Sequence, residues 1–187
     1  TSTSSGPLLT TTFKIEPLGT RMPATGSVER IVPAALSSKS SRMVSAVMPR
    51  DVSIDVASAI CQGGRDYQED AIVTDFPFGS DSGLVVLADG MGGHAAGDVA
   101  SKIVVTEVFS ELKFESANFS DYEKDVPRYL TSSAVNANSV VRAHVTEHPE
   151  TRGMGATLVS VVLVENRMYW MSIGDSPCSA SRNACCV

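Results

Sequence analysis

Three acidic stations stand out in the sequence, each where an apolar run begins or ends. Glu69-Asp70 opens "DAIVTDF" after a Gly-Gly-Arg break, Asp89-Gly90 closes "LVVLA", and Asp175 follows "RMYWMSI" in "SIGDS". Carboxylates gathered at strand ends supply hard oxygen donors. Mg²⁺ and Mn²⁺ take such donors in near-octahedral geometry and keep several waters. A glycine directly after Asp89 lets the main chain approach closely, so the Gly90 carbonyl becomes a further candidate ligand. Taken singly, each acid reads as a solvated strand end. Metal chemistry requires that the fold bring them together.

The flanking segments predict the elements that would do so. Val52, Ile54 and Val56 alternate, with Ile60 in phase, as in a half-buried strand. "DAIVTDF" reads as a second strand, and Leu84–Ala88 is a continuous apolar run of buried-strand length. A helix is expected from about His94 to Lys113. Its apolar row is Ala96, Ala100, Val104, Val108 and Leu112, with Ile103 and Phe109 beside it. A second helix is expected to open at Ser120 with a capping box to Glu123. Val126, Leu130, Ala134, Ala137, Val141 and Val145 form its apolar face, and Pro149 follows its end. "ATLVSVVLV" and "RMYWMSI" predict two strands joined by a tight hairpin at Glu165-Asn166. Three strands, two helices and two strands favour an α+β class over alternating βαβ units.

Four segments in this order, "GGRDYQEDA", "VVLADGMGGHAAGDVAS", "GMGATL" and "GDS", resemble the metal-dependent protein phosphatases, the type 2C serine/threonine phosphatases of bacterial style. The resemblance covers about residues 51 to 177. It implies a four-layer sandwich of two antiparallel sheets flanked by helices. It also implies Mg²⁺ or Mn²⁺, two catalytic ions, and phosphoserine or phosphothreonine substrates on proteins, opposing a Ser/Thr kinase. Residue by residue, Arg65 matches the arginine that holds the substrate phosphate, a role suited to the paired donors of guanidinium. Glu69 and Asp89 match carboxylates at one metal, with the Gly90 carbonyl as a further ligand and Asp89 bridging to the second ion. Asp70 matches an acid that supports the metal waters. Asp175 matches an acid near an auxiliary third metal, or serves as a capping aspartate in a tight turn. The chemistry implied is two-metal hydrolysis, with water attacking phosphorus in line and no phosphoenzyme. Met91 stands where the family often has histidine, so the general acid stays unassigned; His94 reads as a helix-start residue. His144 and His148, spaced i,i+4, suit a metal pinch or, near a helix C-terminus, a favourable interaction with the dipole.

Composition bounds the rest. The formal charge of -6 argues against general nucleic-acid binding. Residues 1–50 hold six Lys/Arg and two Glu, whereas the remainder holds nine Lys/Arg and nineteen acids. Rich in Ser, Thr and Pro, residues 1–50 read as a disordered basic extension or, less well, a transit peptide. Residues 51–177 read as a partial phosphatase domain, and 178–187 as an aberrant tail that fails as a strand. The tail carries no acid, so the later aspartates that complete the second metal are expected to be missing and the chain to be C-terminally truncated, with impaired activity. A non-enzymatic remnant or phosphoprotein-binding module is the alternative. Cys61, Cys178, Cys185 and Cys186 form neither a disulfide framework nor a zinc pattern, which suits a reducing cytoplasm. No apolar run approaches the roughly 18 residues of a membrane span. Nucleotide binding is disfavoured, because "DGMGGHAAGD" lacks the Gly-Lys-Ser/Thr ending of a P-loop.

Overall fold

The computed structural model describes residues 10–17, 28–31, 41–47, 52–62, 66–77, 80–93, 95–116, 125–176, 179–180 and 184–186. In chain order the strands are β1 (Thr10–Pro17), β2 (Val28–Ile31), β3 (Ser41–Val47), β4 (Val52–Ala59), β5 (Asp70–Asp75) and β6 (Gly83–Met91). Two helices follow, α1 (Ala95–Glu115) and α2 (Val126–Glu147). The chain then forms β7 (Gly155–Ala156), β8 (Leu158–Val164), β9 (Arg167–Ile173), β10 (Ser179–Ala180) and β11 (Ala184–Cys186).

Two antiparallel sheets result. The larger runs β2-β3-β9-β8-β6-β5, with β7 continuing alongside β6, and the smaller runs β10-β11-β1-β4. Strand β6 lies between β8 and the edge strand β5, and every residue of Leu84–Ala88 is buried; only a strand covered on both faces tolerates an unbroken apolar run. Its pleat sorts the side chains. Leu84, Val86 and Ala88 join α1 and α2 in one core, while Val85 and Leu87 join a second. Ile54 and Val56 of β4 pack against this second core. Among the described residues there are therefore three layers: helices, large sheet and small sheet.

The helices follow the expected rows. Ala100, Val104, Val108 and Leu112 are buried on α1, and Val126, Leu130, Ala134, Ala137 and Val141 on α2. Glu111 ties the two together, accepting from Ser132 Oγ at 2.6 Å and from Asn136 Nδ2 at 2.7 Å. Helix α2 begins at Val126, with Pro in its first turn, where a missing N–H costs nothing. The expected capping box, Ser120 and Glu123, lies outside the described residues. His144 and His148 stack at 4.5 Å, and His148 is the C-cap, its N–H donating to the His144 carbonyl. The hairpin at Glu165-Asn166 forms, with Glu165 at φ +50°.

Two expectations differ from the structure. Residues 1–50, expected to be disordered, contain β1, β2 and β3. Strand β3 pairs with β9 along its whole length, from Ser41↔Ile173 to Val47↔Arg167, and Met43 is only 1% exposed. The tail, expected to fail as a strand, contains β10 and β11, the latter paired with β1. The cause is shared. Ser and Thr fit a pleated surface as well as a loop, and the open edges of β9 and β1 offer unpaired main-chain groups to any extended segment. That information is not local to either segment.

The helix-side core predicts a clear contrast. Leu130→Ala should cost about 3 kcal/mol, because Leu130 is fully buried against α1 and the sheet. Phe114→Ser, at a side chain 79% exposed, should stay within about 0.5 kcal/mol of wild type. Urea unfolding monitored by circular dichroism measures both.

Candidate metal centre

Antiparallel order gathers one set of strand ends at a single edge of the large sheet. The start of β5, the end of β6, the start of β8 and the end of β9 all lie there. Asp70 is the first residue of β5, Asp89 stands near the end of β6, and Asp175 lies two residues past β9. Arg65 lies outside the described residues, as does His94.

Register decides which acids meet. Asp70 pairs directly with Asp89 across the β5–β6 ladder. The adjacent Gly90 N–H donates to the Glu69 carbonyl at 2.9 Å. Asp70 and Asp89 thus form the non-hydrogen-bonded kind of pair, with Cα atoms about 4.5 Å apart and side chains on one face. The face is the inner one, since Asp89 continues the row of Val85 and Leu87, and Asp70 the row of Ile72. Glu69 lies the other way. Its Oε1 would stand 2.8 Å from a Cβ at Gly97, in the first turn of α1, where the helix dipole favours a carboxylate. The cross-strand neighbour of Asp89 is therefore Asp70, whereas Glu69 faces the helix.

Gly90 continues the opposite row, Leu84, Val86, Ala88, and completes its taper in size. A Cβ on Gly90 would meet the Gly97 carbonyl oxygen at 2.0 Å and the Glu69 carbonyl oxygen at 2.7 Å. Both are main-chain atoms that cannot swing aside. Glycine here lets α1 begin directly against the acid edge.

The donor set tests whether a hard cation fits. Asp70 is 8% exposed. Its Oδ2 accepts from Gln68 Nε2 at 2.8 Å, and it makes no ion pair with any described residue. A buried carboxylate facing a second carboxylate is unfavourable unless positive charge is supplied. The Gln68 Oε1 is also buried with no partner among the described residues, adding one more oxygen at the same strand start. An oxygen-only set of this kind suits Mg²⁺ or Mn²⁺. Asp70, Asp89 and the Gly90 main chain are the groups able to hold it. Among the described residues no three His, Cys, Asp or Glu side chains converge into one cluster. Asp175 is exposed, in a turn opened by Gly174 at φ +102°.

Sequence reasoning passed over Gln68, Gly97 and Thr157. Thr157 sits in "GMGATL" and Gln68 in "DYQEDA", so both lay within quoted motifs. Their partners, however, are set by strand register, which no short segment encodes.

The model for the family described as Protein phosphatase 2C matches residues 64–185, extending past residue 177 into the tail. Among curated proteins, the chain is 39% identical over 95 residues to the serine/threonine protein phosphatase PstP of Mycobacterium tuberculosis, covering 50% of this chain and 17% of that protein. It is 30% identical over 93 residues to the serine/threonine phosphatase stp of Listeria monocytogenes, covering 50% of this chain and 36% of that one. The chain thus spans well under half the length of these relatives. Among solved structures, the catalytic domain of PstP in complex with two manganese ions gives a TM-score of 0.48 at 22% identity, over 95% of this chain and 55% of that one.

The taper at the acid edge yields a prediction. Gly90→Ala should destabilise the chain by several kcal/mol, about 3 or more, because two main-chain carbonyls block the added methyl. Gly93→Ala, whose Cβ would meet nothing within 4 Å but whose φ is +73°, should cost only about 1 kcal/mol of backbone strain. Thermal denaturation of the two variants ranks them.

Proposed function

The chain belongs to the protein phosphatase 2C family, and on that premise we propose that it takes part in metal-dependent hydrolysis of phosphoserine and phosphothreonine in proteins. The observation that carries the proposal is the pair Asp70 and Asp89: one carboxylate buried, one exposed, and directly opposed at the strand ends. Bound Mg²⁺ or Mn²⁺ would supply charge stabilisation at the phosphoryl oxygens and a more acidic water. The chain's own residues do the rest. Asp89 faces solvent, so it is the carboxylate within reach of an incoming phosphate group. Asp70, anchored by Gln68, supplies fixed negative charge behind it. Glu69, whose Oε1 lies beside the first turn of α1, is proposed as a further carboxylate for the ion. Arg65 is the residue proposed to grip the substrate phosphate, through two parallel charge-assisted bonds.

We further propose that this chain alone turns over slowly. The opposed pair suits one ion, and the two-ion chemistry implied by the family resemblance calls for further acids. Opposition to a Ser/Thr kinase and residence in the cytoplasm belong to the same reading. No helix among the described residues is long and apolar enough to cross a membrane.

Calorimetry with Mn²⁺ and hydrolysis of a phosphothreonine peptide test the proposal together. The expected result is a single Mn²⁺ site, slow Mn²⁺-dependent release of phosphate, and loss of both in Asp89→Asn. Arg65→Ala should raise KM while leaving the Mn²⁺ site intact. Two coupled sites with fast turnover would sink the claim of slow turnover, and the absence of Mn²⁺ binding would sink the metal reading itself.

A further inference from the structure

Thr157 stands alone between β7 and β8, and its surroundings explain why the strand breaks there. The register of β7 and of β8 against β6 is continuous: Gly90↔Ala156 on one side of the break, Leu87↔Val159 on the other. Thr157 is therefore the residue opposite Asp89. An ordinary ladder would exchange two main-chain bonds at that pair. One forms, from the Thr157 N–H to the Asp89 carbonyl at 2.9 Å. In place of the other, the Asp89 N–H donates to the Thr157 hydroxyl Oγ1 at 3.1 Å. A side chain has taken over the role of a ladder carbonyl.

The same hydroxyl reaches the turn that carries Asp175. Thr157 Oγ1 lies 2.6 Å from Ser176 Oγ, and the Ser176 carbonyl accepts from Ser172 Oγ at 3.2 Å. The Thr157 methyl occupies the space beside Gly174, where an added Cβ would stand 2.8 Å from Cγ2. Thr157 is 3% exposed, so these bonds are made out of water, where hydroxyl geometry is well defined. Two acidic stations far apart in sequence are thus joined through one oxygen atom.

We propose that Thr157 is a positioning residue: its hydroxyl holds the Asp89 main chain and the Gly174–Ser176 turn in one hydrogen-bonded unit, and so sets how the acid edge presents its carboxylates to a divalent cation. This inference rests on the metal reading of that edge. Groups that orient metal ligands without touching the metal change affinity strongly when lost. Thr157→Val keeps the methyl and the shape but removes the oxygen, stranding the Asp89 N–H. Thr157→Ser keeps the oxygen and gives up the methyl.

Mn²⁺ titration calorimetry and amide hydrogen exchange on wild type, Thr157→Val, Thr157→Ser and Ser176→Ala test it. Thr157→Val should weaken Mn²⁺ binding by about tenfold or more and speed exchange at the Asp89 amide, leaving mid-strand amides such as Val161 unchanged. Thr157→Ser should restore most of both, which a packing role for the threonine would not allow. Wild-type Mn²⁺ affinity in folded Thr157→Val overturns the proposal. If wild type takes up no Mn²⁺, the metal reading fails, and exchange alone then decides: unchanged protection at Asp89 in Thr157→Val overturns the positioning role as well. Should Thr157→Val not fold, Ser176→Ala decides. It leaves the Asp89 N–H its acceptor but removes the link to the turn, so it should weaken Mn²⁺ binding less than Thr157→Val would; unaltered affinity and exchange there overturn the coupling.

Discussion

The direct opposition of Asp70 and Asp89 depends on the register of β6, and so does much else in the fold. Side chains on a strand alternate between faces, so a one-residue slip would send Asp89 toward the helices and Gly90 toward the inner face. The opposed pair does not itself favour this register, because two like charges in opposition disfavour their own pairing. The register is fixed elsewhere. Leu84, Val86 and Ala88 fit beneath α1 and α2 while Val85 and Leu87 fit the second core, and any slip would exchange the two sets. The unfavourable pair is thus held in place by apolar burial several residues away.

Such an arrangement divides the molecule energetically. The helix-side core joins two long helices to most of the large sheet and supplies the burial that keeps the strands in line. The acid edge spends part of that stability on a buried carboxylate, on glycines at positive φ such as Gly92, Gly93 and Gly174, and on a strand interrupted at Thr157. An unfavourable charge pair held at one edge of a well-packed sheet is the pattern expected of a site whose groups are selected for chemistry. The helix-side cavity of about 810 Å³ between α2 and the β7–β8 segment lies on the other face from the opposed pair, so the two are spatially separate.

How legible this was in the sequence depended on how local each signal is. The rows Ala100–Leu112 and Val126–Val141 were readable because a helix repeats its face every three or four residues. The buried strands were readable because their apolar runs are short and bounded. Asp89 and Gly90 were legible as candidates only through the glycine-rich segment that carries the family resemblance, since a single carboxylate at a strand end reads as solvated. Which acid would face Asp89 was not readable. Glu69 and Asp70 are adjacent, and only the β5–β6 register, set by residues 71 to 75 against 84 to 88, selects Asp70. The strands within residues 1–50 were missed for a related reason: β3 pairs with β9 and β1 with β4 and β11, partners outside the segment, and a Ser/Thr-rich segment has no periodicity strong enough to announce them.

The glycines and the threonine at the edge follow from a single geometric demand. Helix α1 must begin against β6 for its first turn to reach Glu69, so the β6 row has to shrink to nothing at Gly90. The chain leaving β6 must then turn sharply, and Gly92 and Gly93 take conformations that side chains disfavour. On the far side, β8 has to start level with Asp89 while the turn after β9 folds back over it. A plain strand residue opposite Asp89 would offer only its carbonyl and leave that turn unattached. A threonine hydroxyl serves both partners at once, because one oxygen can accept from Asp89 and still bond Ser176. A buried valine would pack equally well in that space and hold neither.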